Sequence, residues 1–153
     1  MLWFYCLSFM KWDGDEKGRD MFLCQAAYFS TPEAIDEAVI RDILAKSEEK
    51  NARLHITGAL SYNGQRFMQV LEGERAALSR LIIEIANDAR HKNFTLLGFH
   101  PIDERLFSSW SMTYIAPDAL SEYIVSRYSV NSTMMPEAMT YESVVGALRS
   151  LCS

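Results

Sequence analysis

Cysteine is scarce in this chain: three residues in 153, Cys6, Cys24 and Cys152, scattered, odd in number and without CxxC spacing. That excludes a disulfide framework and a zinc ribbon or finger. No pair of histidines has metal-ligand spacing either, so no metal is expected. Repeats and low-complexity segments are absent. Basic residues are outnumbered, 15 Lys and Arg against 20 Asp and Glu, and form no stripe, which argues against nonspecific nucleic-acid binding. No apolar run is long enough to span a bilayer. Residues 1–10 are apolar and aromatic but lack a basic n-region and a small-residue cleavage site, so they fit a secretory signal poorly. A reducing cytoplasm is the expected location. No nucleophile–base pair stands out, and an enzyme is not expected.

What is present suits one domain with a short appendage and a single sizeable core. Residues 1–20 read as an N-terminal extension that ends in a charged break, 21–116 as the domain, and 117–153 as a C-terminal cap. Residues 22–30 are a short apolar run bounded by Thr31-Pro32, a buried first strand. Ser30 or Thr31 is then positioned to cap a helix running to about Asn51, with Pro32 in its first turn. Ile40, Ile43, Leu44, Ser47 and Asn51 fall near one helical face. Residues 55–62 read as a strand, Asn63-Gly64 as a hairpin signal, and 65–71 as the returning strand. Alternation places Phe67, Gln69 and Leu71 on one side of it and Met68 and Val70 on the other. A helix over 74–87, strands at 94–100 and 110–115, and two further helices at 120–128 and 141–151 complete the pattern. The order β-α-β-β-α-β plus one strand predicts an α+β, ferredoxin-like fold. In that fold the first and third strands are neighbours, so Tyr28 and Gln69 can face one another. The two C-terminal helices are too short to fold alone and should pack on the free face of the sheet.

Most of the polar residues picked out here carry a bland reading too. Tyr28 on a core strand can be packing. Gln69, flanked by Met68, Val70 and Leu71, must be satisfied inside a core. Asn51 can be a helix C-cap, and Ser47 can bond back to its own helix. Arg90 and His91 at a helix C-terminus suit the dipole whatever the function, Asp88 can be a solvated carboxylate, and Trp110 and Met112 can be core filler. Met135 and Met139 read as packing, and His55 and His100 as structural.

Taken together, the motifs resemble the BLUF family of flavin photoreceptors. They are Ala27-Tyr28-Phe29-Ser30, Ser47 with Asn51, Ile56-Thr57-Gly58, residues 67–73, Asp88-Ala89-Arg90-His91 and Trp110-Ser111-Met112. The likeness covers roughly residues 22–116. Tyr128-Ser129 and Pro136-Glu137-Ala138-Met139 look like the helical cap of short, PixD-type members. The resemblance implies a blue-light photoreceptor with noncovalent FAD, or FMN or riboflavin in its place. Asn51, whose amide both donates and accepts, suits the amide-like edge of a flavin. Gln69 can reach the opposite carbonyl, and Ile43, Leu60 and Phe67 would supply apolar walls. Ser47, Asp88, Arg90 and His91 complete the expected cofactor contacts, the last two toward the phosphates.

In the family reading, light moves an electron and a proton from Tyr28 to the flavin, and their return leaves the Gln69 amide reoriented or tautomerised. One hydrogen bond contributes about 1 kcal/mol, whereas a full population switch needs about 5.5 kcal/mol. Signalling must therefore recruit neighbours, with Trp110 and Met112 expected to carry it. With no effector domain following, the expected output is a light-dependent protein–protein contact. The implied partners are a second copy of the chain in a homo-oligomer and a response-regulator-like or cyclic-dinucleotide-related protein. One departure stands out: many relatives carry arginine one turn before the Asp88 position, where this chain has Glu84. An acidic residue there cannot support a phosphate, so a BLUF-like interaction domain without flavin is the alternative.

Overall fold

A computed structural model describes residues 22–33, 36–107, 113–115, 122–130 and 133–152, except for the side chains of residues 37 and 113. Strand β1 (Leu23–Pro32) leads through helix α1 (Glu37–Arg53) to the hairpin β2 (Thr57–Tyr62) and β3 (Phe67–Glu74). Helix α2 (Arg75–Asn87), strands β4 (His91–Pro101) and β5 (Thr113–Ile115), and helices α3 (Glu122–Tyr128) and α4 (Tyr141–Leu151) follow. The sheet order is β4-β1-β3-β2-β5, antiparallel except for β2 with β5. This is the ferredoxin-like arrangement with one added strand.

Helix α1 starts later than expected. The expected Ser30 or Thr31 cap does not form, because β1 continues and pairs Thr31 and Pro32 with Lys92 and His91 of β4. Asp36 caps the helix instead, its carboxylate accepting from Val39 N at 2.9 Å. The Glu74 carboxylate caps α2, accepting from Ala76 N and Ala77 N, and the Thr140 hydroxyl caps α4, accepting from Ser143 N.

Strand alternation divides the core into two layers. Cys24, Ala26, Tyr28, Phe67 and Leu71 face α1 and α2, joining Ile43, Leu78, Leu81 and Ile82. Ala27, Phe29, Ala59, Met68 and Val70 face the other way, where Val125 of α3 and Val144, Val145 and Leu148 of α4 cover them. The C-terminal helices thus close the second face of the sheet, as expected. Met139 is buried there, whereas Met135 is 44% exposed and only partly covered.

The β2–β3 hairpin closes through four residues rather than two. Asn63 N donates to Arg66 O, and Asn63 Oδ1 accepts from Gln65 N and Arg66 N. Gly64 takes φ +94°, a left-handed conformation that glycine adopts without strain. The loop also holds the cap: Asn63 Nδ2 donates to Met134 O at 2.6 Å, and Arg66 Nε pairs with Glu137 at 2.5 Å. No helix among the described residues is long and apolar enough to cross a membrane.

Candidate functional site

The register of the central strands sets one row of side chains facing α1 and α2. Tyr28 lies opposite Gln69, Gln69 opposite Leu60, and Leu60 opposite Tyr114. Tyr28 and Gln69 are almost fully enclosed, at 0% and 5% exposure. The Tyr28 hydroxyl donates to Gln69 Oε1 in a short hydrogen bond. Burial, and secondarily the charge of Asp88, pushes the Tyr28 phenol far above its ordinary value. The hydroxyl therefore keeps its proton at neutral pH.

Beside this pair, between α1 and α2 and floored by β3, lies a cavity of about 290 Å³, at the lower end of the roughly 300–1,000 Å³ of small-molecule pockets. Seven of the sequence-derived cofactor residues line it: Ile43, Ser47, Asn51, Gln69, Asp88, Arg90 and His91. The other three, Tyr28, Leu60 and Phe67, stand outside its wall. Leu60 and Phe67 pack with Ile43 behind it. Asn51 is 2% exposed and lies inside α1, whose C-cap is Leu54, so the C-cap reading of Asn51 falls.

Arg90 and His91 are not on the end of α2. The helix stops at Asn87 with Asp88 as C-cap, Arg90 lies in the following turn, and His91 opens β4. Asp88 is not a free carboxylate: it accepts from Arg90 N, Nε and Nη2. The hydrogen bond from Arg90 holds its carboxyl down at about 2. Arg90 also approaches Asp42 at 3.6 Å. His91 lies deep, its Nδ1 2.8 Å from Ser30 Oγ and its ring 5.5 Å from that of Phe67 and 6.3 Å from that of Tyr28. Desolvation lowers its pKa and favours the neutral ring. Trp110, Ser111 and Met112 lie outside the described residues.

The sequence reading missed Lys46, Lys50, Leu71, Leu81 and Ile85, all of which line the cavity. Ile43, Lys46, Ser47, Lys50 and Asn51 are spaced i, i+3, i+4, i+7 and i+8, a single helical face that could have been read directly. Phe94, whose ring lies 4.7 Å from that of Tyr28, was read only as a strand residue. Glu84 does line the cavity, and its carboxylate is bound to Lys50 Nζ across the gap between the helices. Among the described residues no cluster of His, Cys, Asp or Glu could hold a metal ion.

A family model described as sensors of blue light using FAD matches residues 23–113, more than half of the chain. The chain belongs to the BLUF family. Two solved BLUF-type structures have the same fold over most of their length. The photo-activated state of BlsA gives a TM-score of 0.74 at 29% identity, over 84% of this chain and 94% of that one. The dark state of BlrB, a BLUF protein, gives 0.70 at 29% identity, over 86% and 96%. Photoactivated adenylate cyclase subunit beta of Euglena longa is 33% identical over 82 residues, which is 53% of this BLUF chain and 10% of that protein. The chain thus spans about a tenth of that curated relative's length.

Flavin binding and blue-light sensing are the properties of this family, and the residues in the cavity suit them. The cavity offers two amides, Asn51 and Gln69, an apolar floor of Leu71, Leu81 and Ile85, and cations at Lys46, Lys50 and Arg90. That donor set matches a ring with an amide-like edge and an anionic tail.

Proposed function

We propose that this BLUF chain uses FAD and switches through Tyr28 and Gln69, working as a sensor with no catalytic activity of its own. The observation that carries the reading is the buried Tyr28–Gln69 hydrogen bond beside a cavity that Gln69 itself lines. A bound flavin supplies an oxidant when excited by blue light. Tyr28 is the electron donor, and its phenolic proton already lies on the path to Gln69 Oε1. The Gln69 amide, with an acceptor at one end and a donor at the other, stores the event as a changed orientation or tautomer. Asn51 and Ser47 would orient the ring from α1, Ile43 would wall it with Leu60 and Phe67 packed behind, and Lys46, Lys50 and Arg90 would face the phosphates.

In this reading residues 21–116 bind flavin, 117–153 form the output cap, and 1–20 are an extension. Signal passes through Trp110 and Met112 to the cap or to an oligomer interface. The partner is a response-regulator-like or cyclic-dinucleotide-related protein in the cytoplasm. Glu84 favours a second reading, a BLUF-shaped interaction domain without flavin, because it places a carboxylate in the wall of the cavity.

Absorption spectra in darkness and under blue light separate the two. A flavin spectrum with a small red shift that recovers in the dark is expected. Gln69→Leu should keep the flavin and lose the shift, and a normal photocycle in that variant would sink the mechanism. A protein that stays colourless after flavin reconstitution would establish the second reading.

A further inference from the structure

Glu72 belongs neither to the cavity nor to the Tyr28–Gln69 pair, yet it is 0% exposed. It lies on the opposite face of β3, three residues beyond Gln69, under the layer that holds α3 and α4. Burying a carboxylate is costly unless hydrogen bonds surround it, and here donors arrive from three parts of the chain. Gln25 Nε2 of β1 donates to it at 2.7 Å, Leu106 N at 3.0 Å, Phe107 N at 3.1 Å, and Thr57 Oγ1 of β2 at 3.4 Å.

Two of these contacts extend the network. Gln25 Oε1 accepts from Tyr141 Oη of α4 at 2.6 Å. Arg105 Nη1 donates to Thr57 Oγ1 and to Glu72 O, both at 2.8 Å, and its Nη2 donates to His55 O at 2.7 Å. Segment 105–107 is therefore fastened to β2 and β3 by one guanidinium and one carboxylate. Phe107 precedes Trp110 by three residues in the chain.

We propose that Glu72 is a positioning residue that joins α4 and the segment 105–107 to β3, so that a displacement of β3 at Gln69 reaches both at once. One end of the linkage is Tyr141–Gln25–Glu72, and the other is Glu72 with the amides of Leu106 and Phe107. Apart from the Tyr141–Gln25 bond, its hydrogen bonds converge on the two oxygens of Glu72, and charge-assisted bonds of this kind are the strong ones. A shift of β3 therefore cannot leave all of them satisfied. The light-dependent half of this inference rests on the photoreceptor reading above; the linkage itself does not.

The test is hydrogen–deuterium exchange on the flavin-loaded full chain, dark and illuminated, for the wild type, Glu72→Gln and Tyr141→Phe. An amide in place of Glu72 has one acceptor oxygen and turns a donor toward the Leu106 and Phe107 N–H groups. In the dark, exchange at those two amides should accelerate on the order of tenfold. Tyr141→Phe is the milder variant, since it removes only the bond to Gln25. Both variants should keep the flavin red shift, because Tyr28 and Gln69 are untouched, and both should lose the lit-minus-dark difference across α4. Wild-type exchange at 106–107 in Glu72→Gln would overturn the linkage. Faster exchange with an unchanged lit-minus-dark difference would reduce Glu72 to a structural role and overturn the coupling. A wild type that binds flavin but shows no light response would refute the photoreceptor reading, while the dark arm would still decide the linkage.

Discussion

Tyr28→Phe removes a single oxygen from a position with no solvent exposure. The ring stays in place, still 4.7 Å from Phe94 and 6.3 Å from His91, so no cavity of methyl size opens. What is lost is the hydrogen bond to the buried Gln69 Oε1. Such a loss costs about 1–3 kcal/mol, and relief of the buried hydroxyl itself brings the expected figure to about 1–2 kcal/mol. For a domain of this size that is a fall in Tm of roughly 2–8 °C. The assay pairs thermal unfolding with absorption under blue light. The variant should fold, bind flavin, lose a few degrees of stability and lose the red shift. A destabilisation well beyond 3 kcal/mol would mean that the ring contacts are wrong. A retained red shift would eliminate Tyr28 as the required donor, whatever the stability.

Three further outcomes are expected. Glu84→Gln should hardly change stability, because the side chains of Glu84 and Lys50 are 55% and 40% exposed and such a pair contributes at most about 1 kcal/mol. It should, however, free Lys50 to face an anion and tighten FAD and FMN about 2–5-fold, leaving riboflavin unchanged; an equal effect on all three in fluorescence titrations would refute a phosphate role. Gly58→Ala should cost about 3 kcal/mol or more in urea unfolding, since its Cβ would lie 2.1 Å from Val70 O, and an unchanged midpoint would deny that close approach. Stability should also fall in alkali. Burial raises Tyr28 above its ordinary value of 10 and takes Tyr141 to about 12, so above pH 10 the unfolded chain releases protons that the folded one retains. Tyr28 alone then gives a slope of about −1.4 kcal/mol per pH unit, Tyr141 adds to it up to about pH 12, and a flat urea midpoint from pH 9 to 11 would contradict both.

Local periodicity carried a good deal of this molecule. Alternation along β3 was enough to put Gln69 with Phe67 and Leu71 on one face, and the strand order then brought Tyr28 opposite. The parts that escaped depend on partners remote in the chain. Ser30-Thr31-Pro32 is a plausible helix start until β4 arrives some sixty residues later and extends β1 through it. Lys50 and Glu84 are 34 residues apart on different helices, so nothing near either residue announces their pairing. Arg105 is one of three adjacent charges in Asp103-Glu104-Arg105, yet its guanidinium holds the backbone of Glu72 in β3 and of His55 just before β2. Glu72 lies just past the predicted strand 65–71 with no local sign that it is buried, because its donors come from residues 25, 57, 106 and 107.

The four-residue turn after β2 has a bearing on how the chain assembles. Its contacts with the cap, Asn63 to Met134 and Arg66 to Glu137, each bridge 71 residues. Contacts of such separation form only after the entropy of closing a long loop has been overcome. The β2–β3 hairpin and the β1–β3 pairing join nearer partners and can form first, whereas the cap contacts, like the β1–β4 pairing, close longer loops. Docking of the C-terminal helices is then a late event in folding and their release an early one in unfolding. When they lift, Ala27, Phe29, Met68 and Val70 come into water as a continuous apolar face. Self-association would then track the fraction of molecules with the cap released, well before the flavin side of the sheet is disturbed.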